Sequence, residues 1–585
     1  MKFGVKILSF ALAMTLSWLS PAALSAKEPA DTFGISGTIA ADYATTVFDV
    51  NTVTPAFTFT AGNQHFAIYG ATKLYHIEDN VDKSEIIGNK VSRIDITRRG
   101  ITHKINRRAD YLIGAFYTPK PLHRLAVQFN GYRYYPRNIK EQIQTTLKLP
   151  EFGVFNGVAR YKTKDDHSDF YDAAAAYSVA FDSIGGRTLS FRADLNHLSG
   201  QRGVEMLSGY VGLLKIVEFE DEDKSRCNDV TIGTDFSAPR LGPFTDFHSG
   251  ITGFLTERKS TYVIDKDLAT SRQKENILQA DLAASLPFGK FTANAHLAAQ
   301  FFNKYDNIEG DIVEPKFQFL PAFSLSYATG KLSLMASAKR TLIRPSLANT
   351  DGIVRRANEV MFTNSLVRLH SDRHDDFALT ATYGPHTFLT SYTINHSPIV
   401  TDYVVVSKDD FAEVQVNFRR STDTRFQYTF DGDITRWWHL TASATANWQR
   451  NPGAWFKRIH WAWTGNLTSH FSIGRLGALD VVADYASDYI AGNILFGSSF
   501  NLNIDWSKSL LSDRLMLRVG VHDVFNTDDD SFEMSSKELS YIVSSKSVTR
   551  RLWLGVTYNF SSGGKAAPSR LTDITPIPNF DTSRL

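Results

Sequence analysis

The sequence predicts an all-β fold: a transmembrane antiparallel up-and-down β-barrel of about 22 strands. Three observations predict it. An export signal opens the chain, long segments alternate apolar and polar residues with a period of two, and the connections are alternately tight and long.

The export signal comes first. Met1–Lys6 is basic, Ile7–Leu19 is apolar, and Ser20–Ala26 closes with small residues. That order is a secretory signal peptide, residues 1–26, cleaved near Ala26. The apolar run is too short for a helical anchor. No Cys follows the cleavage site, so a lipoprotein is not expected. Beyond residue 26 no apolar run reaches the roughly 20 residues that a helical span needs. A formal charge of +2 excludes a strong field for nucleic acid. The single cysteine, Cys227, excludes an internal disulfide. An exported chain of this length, without staples, needs a large dry core or a closed hydrogen-bonded cylinder.

The two-residue period decides for the cylinder. Leu189, Phe191, Ala193 and Leu195 alternate with Ser190, Arg192, Asp194 and Asn196. Phe291, Ala293, Ala295 and Leu297 alternate with Lys290, Thr292, Asn294 and His296. Phe426, Tyr428 and Phe430 alternate with Gln427, Thr429 and Asp431. Phe500, Leu502, Ile504 and Trp506 alternate with Asn501, Asn503 and Asp505; Leu517 and Val519 flank Arg518. Successive strand side chains point to opposite faces, so each segment has an apolar and a polar face. The polar set Arg192, Asp194, Asn196, Lys290, Asn294, His296, Asp431, Asn501, Asn503, Asp505 and Arg518 is therefore expected to face a wet lumen. Both charge signs occur in it, which disfavours a strongly ion-selective pore.

The connections give the orientation. Tight turns are predicted near 183–186, 286–290, 327–331 and 511–514, and long ones at 202–228, 305–313, 346–373 and 526–547. Short periplasmic turns and long outer loops are the habit of outer-membrane barrels. Eleven upward strands run from 35–48 to 513–525, and eleven downward ones from 52–61 to 549–560. The barrel thus occupies residues 27–560. Residues 561–585, rich in Gly, Pro, Ser and Thr, read as a periplasmic or disordered tail. Tyr132, Tyr134 and Tyr135 are expected at an outer rim, and Trp437 and Trp438 at an inner turn, where amphipathic rings meet the lipid boundary.

Three clusters invite a chemical reading. Asp528–Asp530 with Glu533 offers carboxylates to Ca²⁺ but lacks the spacing and glycine of a calcium loop. His370, Asp372, His374, Asp375 and Asp376 can ligate a metal or move protons in principle, with no second motif in support. Glu218, Glu220, Asp221, Glu222 and Asp223, beside Cys227, read as an exposed loop face. No nucleophile elbow or phosphate loop is present. Neither catalysis nor a cofactor or metal is expected.

The last strands resemble a family. Arg550–Phe560 is similar to the closing strand of TonB-dependent outer-membrane receptors, with Leu552, Leu554, Val556, Tyr558 and Phe560 alternating. Asp523-Val524-Phe525-Asn526 resembles the end of their penultimate strand, and Lys339–Pro345 their mid-barrel segment with two arginines before a proline. The resemblance covers roughly residues 35–560. It implies a 22-stranded barrel in the cell outer membrane, seated in lipid by the barrel-assembly machinery. It also implies import of a siderophore, vitamin, metal complex or glycan. The departures are a missing plug ahead of the barrel, Thr363-Asn364-Ser365-Leu366 in place of the family's Gly-Asn-Pro stretch, and a closing Phe that is not terminal. A separate plug, a TonB system or a surface lipoprotein are the partners this leaves open. The alternatives are a plugless passive pore or structural barrel, and an outer-membrane hydrolase.

Overall fold

The computed structural model describes residues 33–563 except 46–50, 64, 121, 182–185, 213–215, 307–315, 359, 365–367, 408–409, 455–457 and 528–530. The expected signal peptide, most of the tail and the Asp528–Asp530 cluster lie outside the described residues.

The chain folds into strands β1 (Gly34–Thr45), β2 (Asn51–Gly62), β3 (Phe66–Asn89), β4 (Ile94–Lys120), β5 (His123–Leu149), β6 (Gly153–Ala180), β7 (Thr188–Tyr210), β8 (Ile216–Leu241), β9 (Phe244–Ile264) and β10 (Asp267–Phe288). There follow β11 (Phe291–Asp306), β12 (Phe317–Thr329), β13 (Leu332–Ile343), β14 (Val354–Arg356), β15 (Met361–Asn364), β16 (Asp372–Tyr383), β17 (His386–Asn395), β18 (Ile399–Val405), β19 (Phe411–Asn417) and β20 (Ser421–Thr435). The last are β21 (Trp438–Arg450), β22 (Ile459–Ser472), β23 (Ala478–Ala486), β24 (Tyr489–Ala491), β25 (Ile494–Phe496), β26 (Ser499–Leu510), β27 (Leu515–His522), β28 (Phe532–Ser535), β29 (Leu539–Ser547) and β30 (Arg551–Gly563).

Twenty-two of these make a closed antiparallel barrel: β1–β13, β16, β17, β20–β23, β26, β27 and β30. The ring closes where β1 pairs with β30, from Gly34↔Gly563 to Thr45↔Leu552. Closure leaves no edge whose backbone groups would face hydrocarbon unpaired. At the end where the described chain starts and stops, the turns are short. Gly330 and Gly384 sit there at φ 54° and 57°, a left-handed conformation that a side chain disfavours. The opposite end carries the long loops.

Every predicted strand is present, but the wall is not of even height. Strands β3–β10 are 21–28 residues long, whereas about 9–11 tilted residues cross a bilayer. At ~3.3 Å per residue, β6 runs for about 90 Å. Eight of the 22 strands, more than a third of the circumference, therefore rise far above the membrane. The segment 202–228, expected as a loop, is the upper part of β7 and β8, joined across residues 211–215. Loops β24–β25 and β28–β29 extend this wall, and β29 pairs with upper β3 from Leu539↔Asn89 to Ser547↔Val81.

The facing of the side chains follows the pleat. Phe191, Leu195, Ile251, Leu255, Phe388 and Leu554 are exposed on the outer, lipid face. The tyrosine expectation needs correction. Tyr132 stacks on Phe170 at 5.5 Å and under Arg108 at 4.2 Å, on the lumen parity. Tyr134 donates to Asn106 on that same face, so only Tyr135 is turned outward. None of the three ends a strand, because β5 continues to Leu149. Trp437 and Trp438 do stand at a short turn, both against Phe471.

Candidate functional site

Above the membrane the barrel's own loops fold inward. The β13–β16 loop supplies β14 and β15, and the β17–β20 loop supplies β18 and β19. Together they form a four-stranded sheet ordered β14-β15-β19-β18, with β15 and β19 parallel. This cap lies against the inner face of the tall wall. One apolar cluster joins Val360, Tyr403 and Phe411 of the cap to Ile87, Ile96, Leu147 and Tyr210 of the wall and to Met534 and Tyr541 of the β28–β29 loop. Each of these side chains buries apolar area at about 25 cal/mol per Å².

Charge fixes the cap to the wall on one side and braces the wall behind it on the other. On the first, Asp351 is fully buried; it accepts from Arg258 at 3.1 Å and from Arg355 at 2.6 Å. Arg355 also reaches Asp223 at 2.7 Å. Gln273 donates to the Thr350 carbonyl at 2.7 Å, and Lys304 to its hydroxyl at 3.1 Å. The Tyr262 hydroxyl accepts the Arg356 N–H at 2.8 Å and donates to Asp221 at 3.0 Å. On the second side the ion pairs lie within the wall and its loop extension. Glu85 of β3 is paired with Arg98 of β4, with Lys83 at 2.7 Å and with the Tyr541 hydroxyl at 3.0 Å. The Tyr541 ring packs on Tyr403 and Phe411 of the cap. Burial alone would push the Glu85 carboxyl up, but Arg98 and Lys83, with the Tyr541 donor, more than offset it and hold it below its ordinary value. Burial likewise pushes the Tyr541 phenol well up, so it remains a donor.

The acidic run is therefore not a loop face. It lies on β8 with period two: Glu218 and Glu220 are exposed, while Asp221 and Asp223 turn inward to Tyr262 and Arg355. Cys227 is buried in the same strand. The His/Asp cluster divides in the same way. Asp372 pairs with His374 on one face and accepts the Ser397 N–H at 2.8 Å. Asp375 pairs with Arg340 at 2.6 Å and His396 at 2.8 Å on the other. His370 is exposed, and Asp376 accepts from Thr393 at 2.6 Å.

The eleven lumen candidates are spread around the ring and not gathered into one site. On β7, Arg192 donates to Thr252 at 2.9 Å, and Asp194 and Asn196 are buried among neighbouring strands. Lys290 stands in the β10–β11 turn and reaches Thr329 at 3.1 Å. Asn294 donates to Ser324 at 3.0 Å, and His296 meets Asp281 at 3.2 Å. Asp431 pairs with His439 at 2.9 Å. Asn503 accepts the Asp523 N–H at 2.9 Å, Asp505 pairs with His522 at 3.0 Å, and Asn501 lies on the same face. Arg518 donates to Thr557 at 3.3 Å and covers Trp553. These bonds run from strand to strand and hold the ring in register.

The cap residues Asp351 and Arg355, and the wall and loop residues Arg258, Glu85, Arg98 and Tyr541, are what sequence reading missed. The only signal for the first two was the length of the 346–373 segment. The motif Asp523–Asn526 does have a local role. The Asn526 carboxamide accepts the N–H groups of Thr549 at 2.9 Å and Arg550 at 3.2 Å, and Asp523 is paired with Thr549. It thereby ties the end of β27 to the start of β30.

Comparison with solved structures places this architecture. The siderophore receptor PirA of Pseudomonas aeruginosa superposes with a TM-score of 0.53 at 10% identity, covering 91% of this chain and 81% of that one. A point mutant of the ferric enterobactin receptor PfeA of Pseudomonas aeruginosa, bound to enterobactin, gives 0.56 at 11%, covering 92% and 82%. FpvA of P. aeruginosa, bound to a pyoverdine, gives 0.56 at 11%, covering 91% and 72%. At such identities the likeness concerns the fold. No curated protein sequence matches the chain. The family model of the outer membrane protein beta-barrel family matches residues 256–558, more than half of the sequence, and the chain belongs to that family, in the cell outer membrane.

Proposed function

We propose that the chain is an outer-membrane receptor that takes a small solute at the outer face of its cap, for uptake or binding. The observation that carries this reading is the cap itself: a sheet made by two loops, seated by the buried ion pairs of Asp351 and Arg355 and by an apolar cluster inside a wall that rises above the membrane. A wide passive pore does not require its mouth to be filled by its own loops, so the cap counts against that alternative. A siderophore, vitamin, metal complex or glycan is the ligand class that the receptor likeness suggests. A TonB system, with a separately supplied plug, would be the energy source. The division of the His/Asp cluster between two faces supports a non-catalytic reading.

The test is ligand binding to the purified chain in detergent, read by intrinsic fluorescence. The panel is a ferric catecholate, a ferric hydroxamate, cobalamin, haem and a set of oligosaccharides. One class is expected to give a saturable change that an excess of that ligand competes away. A flat response to every class, together with free passage of all of them through the reconstituted barrel, would favour the passive pore.

A further inference from the structure

The lipid-facing side of the short-stranded part of the barrel is concave. A groove of about 1000 Å³ crosses strands β13, β16, β17, β20 and β21. A second of about 640 Å³ continues it, sharing Leu325, Ala336, Leu379 and Thr390. Its lining alternates small and bulky residues across the strands: Ala336 and Ala381 on β13 and β16, Phe388 and Phe426 on β17 and β20, then Ala444 and Ala446 on β21 before Trp463. All of these stand on the outward parity, opposite the serines and threonines of the lumen face. A flat lipid-facing wall would pack against any hydrocarbon; an apolar groove has a shape that a chain can occupy.

Charge lies at the outer end of the groove. Arg340, Arg373 and Asp375 follow Ala338 and Phe377 outward on the same face, one strand-crossing length above the short turns. Arg340 grips Asp375 at 2.6 and 3.2 Å, and His396 contacts Asp375 at 2.8 Å and Arg373 at 3.1 Å. The Arg373 Nε–H is buried and has no acceptor among the described residues. Arg419, Arg420 and Arg450 are exposed at the outer ends of the neighbouring strands. One carboxylate among five arginines leaves this patch cationic, at the depth where the outer leaflet's headgroups lie. Arginine forks match phosphate oxygens in geometry as well as charge.

We infer that this face holds a phosphorylated, multiply acylated glycolipid of the outer leaflet, one acyl chain in the apolar groove and a phosphate on Arg340 and Arg373. The receptor reading does not depend on it, since the cap lies on the other side of the wall. The test is native mass spectrometry of the purified chain with three probes: bisphosphorylated hexa-acyl lipid A, the same lipid dephosphorylated, and phosphatidylglycerol. Lipid A is expected to stay bound under activation that strips the other two. Two variants probe the two halves, Arg340→Gln with Arg373→Gln at the patch, and Ala336→Phe with Ala444→Phe in the groove. Each is expected to lose about tenfold of the retained lipid A, the scale of a lost charge-assisted pair. Both should keep the heat-modifiable migration of a folded barrel. Equal retention of the three probes by the native chain, or retention unchanged in either folded variant, overturns the inference.

Discussion

Replacing Asp351 with Ala is expected to release the cap while leaving the barrel intact. The Asp351 carboxylate is fully buried and is the shared partner of Arg258 and Arg355. It also accepts the Ile353 N–H at 3.0 Å. Removing it leaves Arg258, itself almost wholly buried, facing Arg355 with nothing between them. Breaking a buried pair in this way costs about 3–5 kcal/mol, because the remaining charge has lost its solvent and gained no partner. A cap made of two loops has less to lose than a whole domain, so a penalty of that size unseats it. The readout is limited trypsinolysis at Arg355 and Arg356. Native protein should resist cleavage there, whereas the variant should be cut at this pair while its barrel still migrates as folded. Equal resistance in both would mean that the apolar cluster alone seats the cap.

Replacing Val556 with Arg is the second large effect, and it acts on the cylinder. Val556 sits mid-strand in β30, opposite Ala41 of β1 and Leu517 of β27, at the seam that closes the ring. It is on the outer parity with Leu554 and Tyr558, exposed to lipid. An arginine at the bilayer midplane costs about 2–4 kcal/mol on a barrel's lipid face. The same substitution at the adjacent position of opposite facing, Thr557→Arg, puts the charge in the lumen beside Arg518 and should be far milder. Urea unfolding in lipid vesicles separates the two. A clear fall in the midpoint for Val556→Arg and a small one for Thr557→Arg are expected. Equal effects would contradict the assigned facing.

Much of the cylinder was legible because its information is local. A residue in the band from β11 to β30 sees lipid or water according to its parity, so Phe291 and Asn294, or Phe426 and Gln427, declare their faces in sequence. The tall wall was not legible for the same physical reason. Above the membrane the outer face meets water and the inner face meets the cap, so the polarity rule reverses. On β8, Glu218 and Glu220 face solvent while Phe219 and Cys227 pack inward, and a run rich in Glu and Asp reads as a loop. The Tyr132 and Tyr134 error came from reading a ring as a lipid-boundary anchor when its parity already pointed inward. The cap was hidden for another reason. Arg355 and Asp223 are 132 residues apart, and Asp351 and Arg258 are 93 apart. No periodicity joins positions so distant; only the closed ring brings them together.

The central claim is that the barrel's outer mouth is stoppered by its own loops. Single-channel recording in planar bilayers tests it directly, comparing the intact chain with one in which residues 346–364 and 399–417, the two cap loops, are each replaced by a short Gly/Ser linker. The account predicts little steady current through the intact protein and a large, persistent conductance through the shortened one, as befits a cylinder of this strand number. An intact chain that already conducts as freely as its capless form would contradict it.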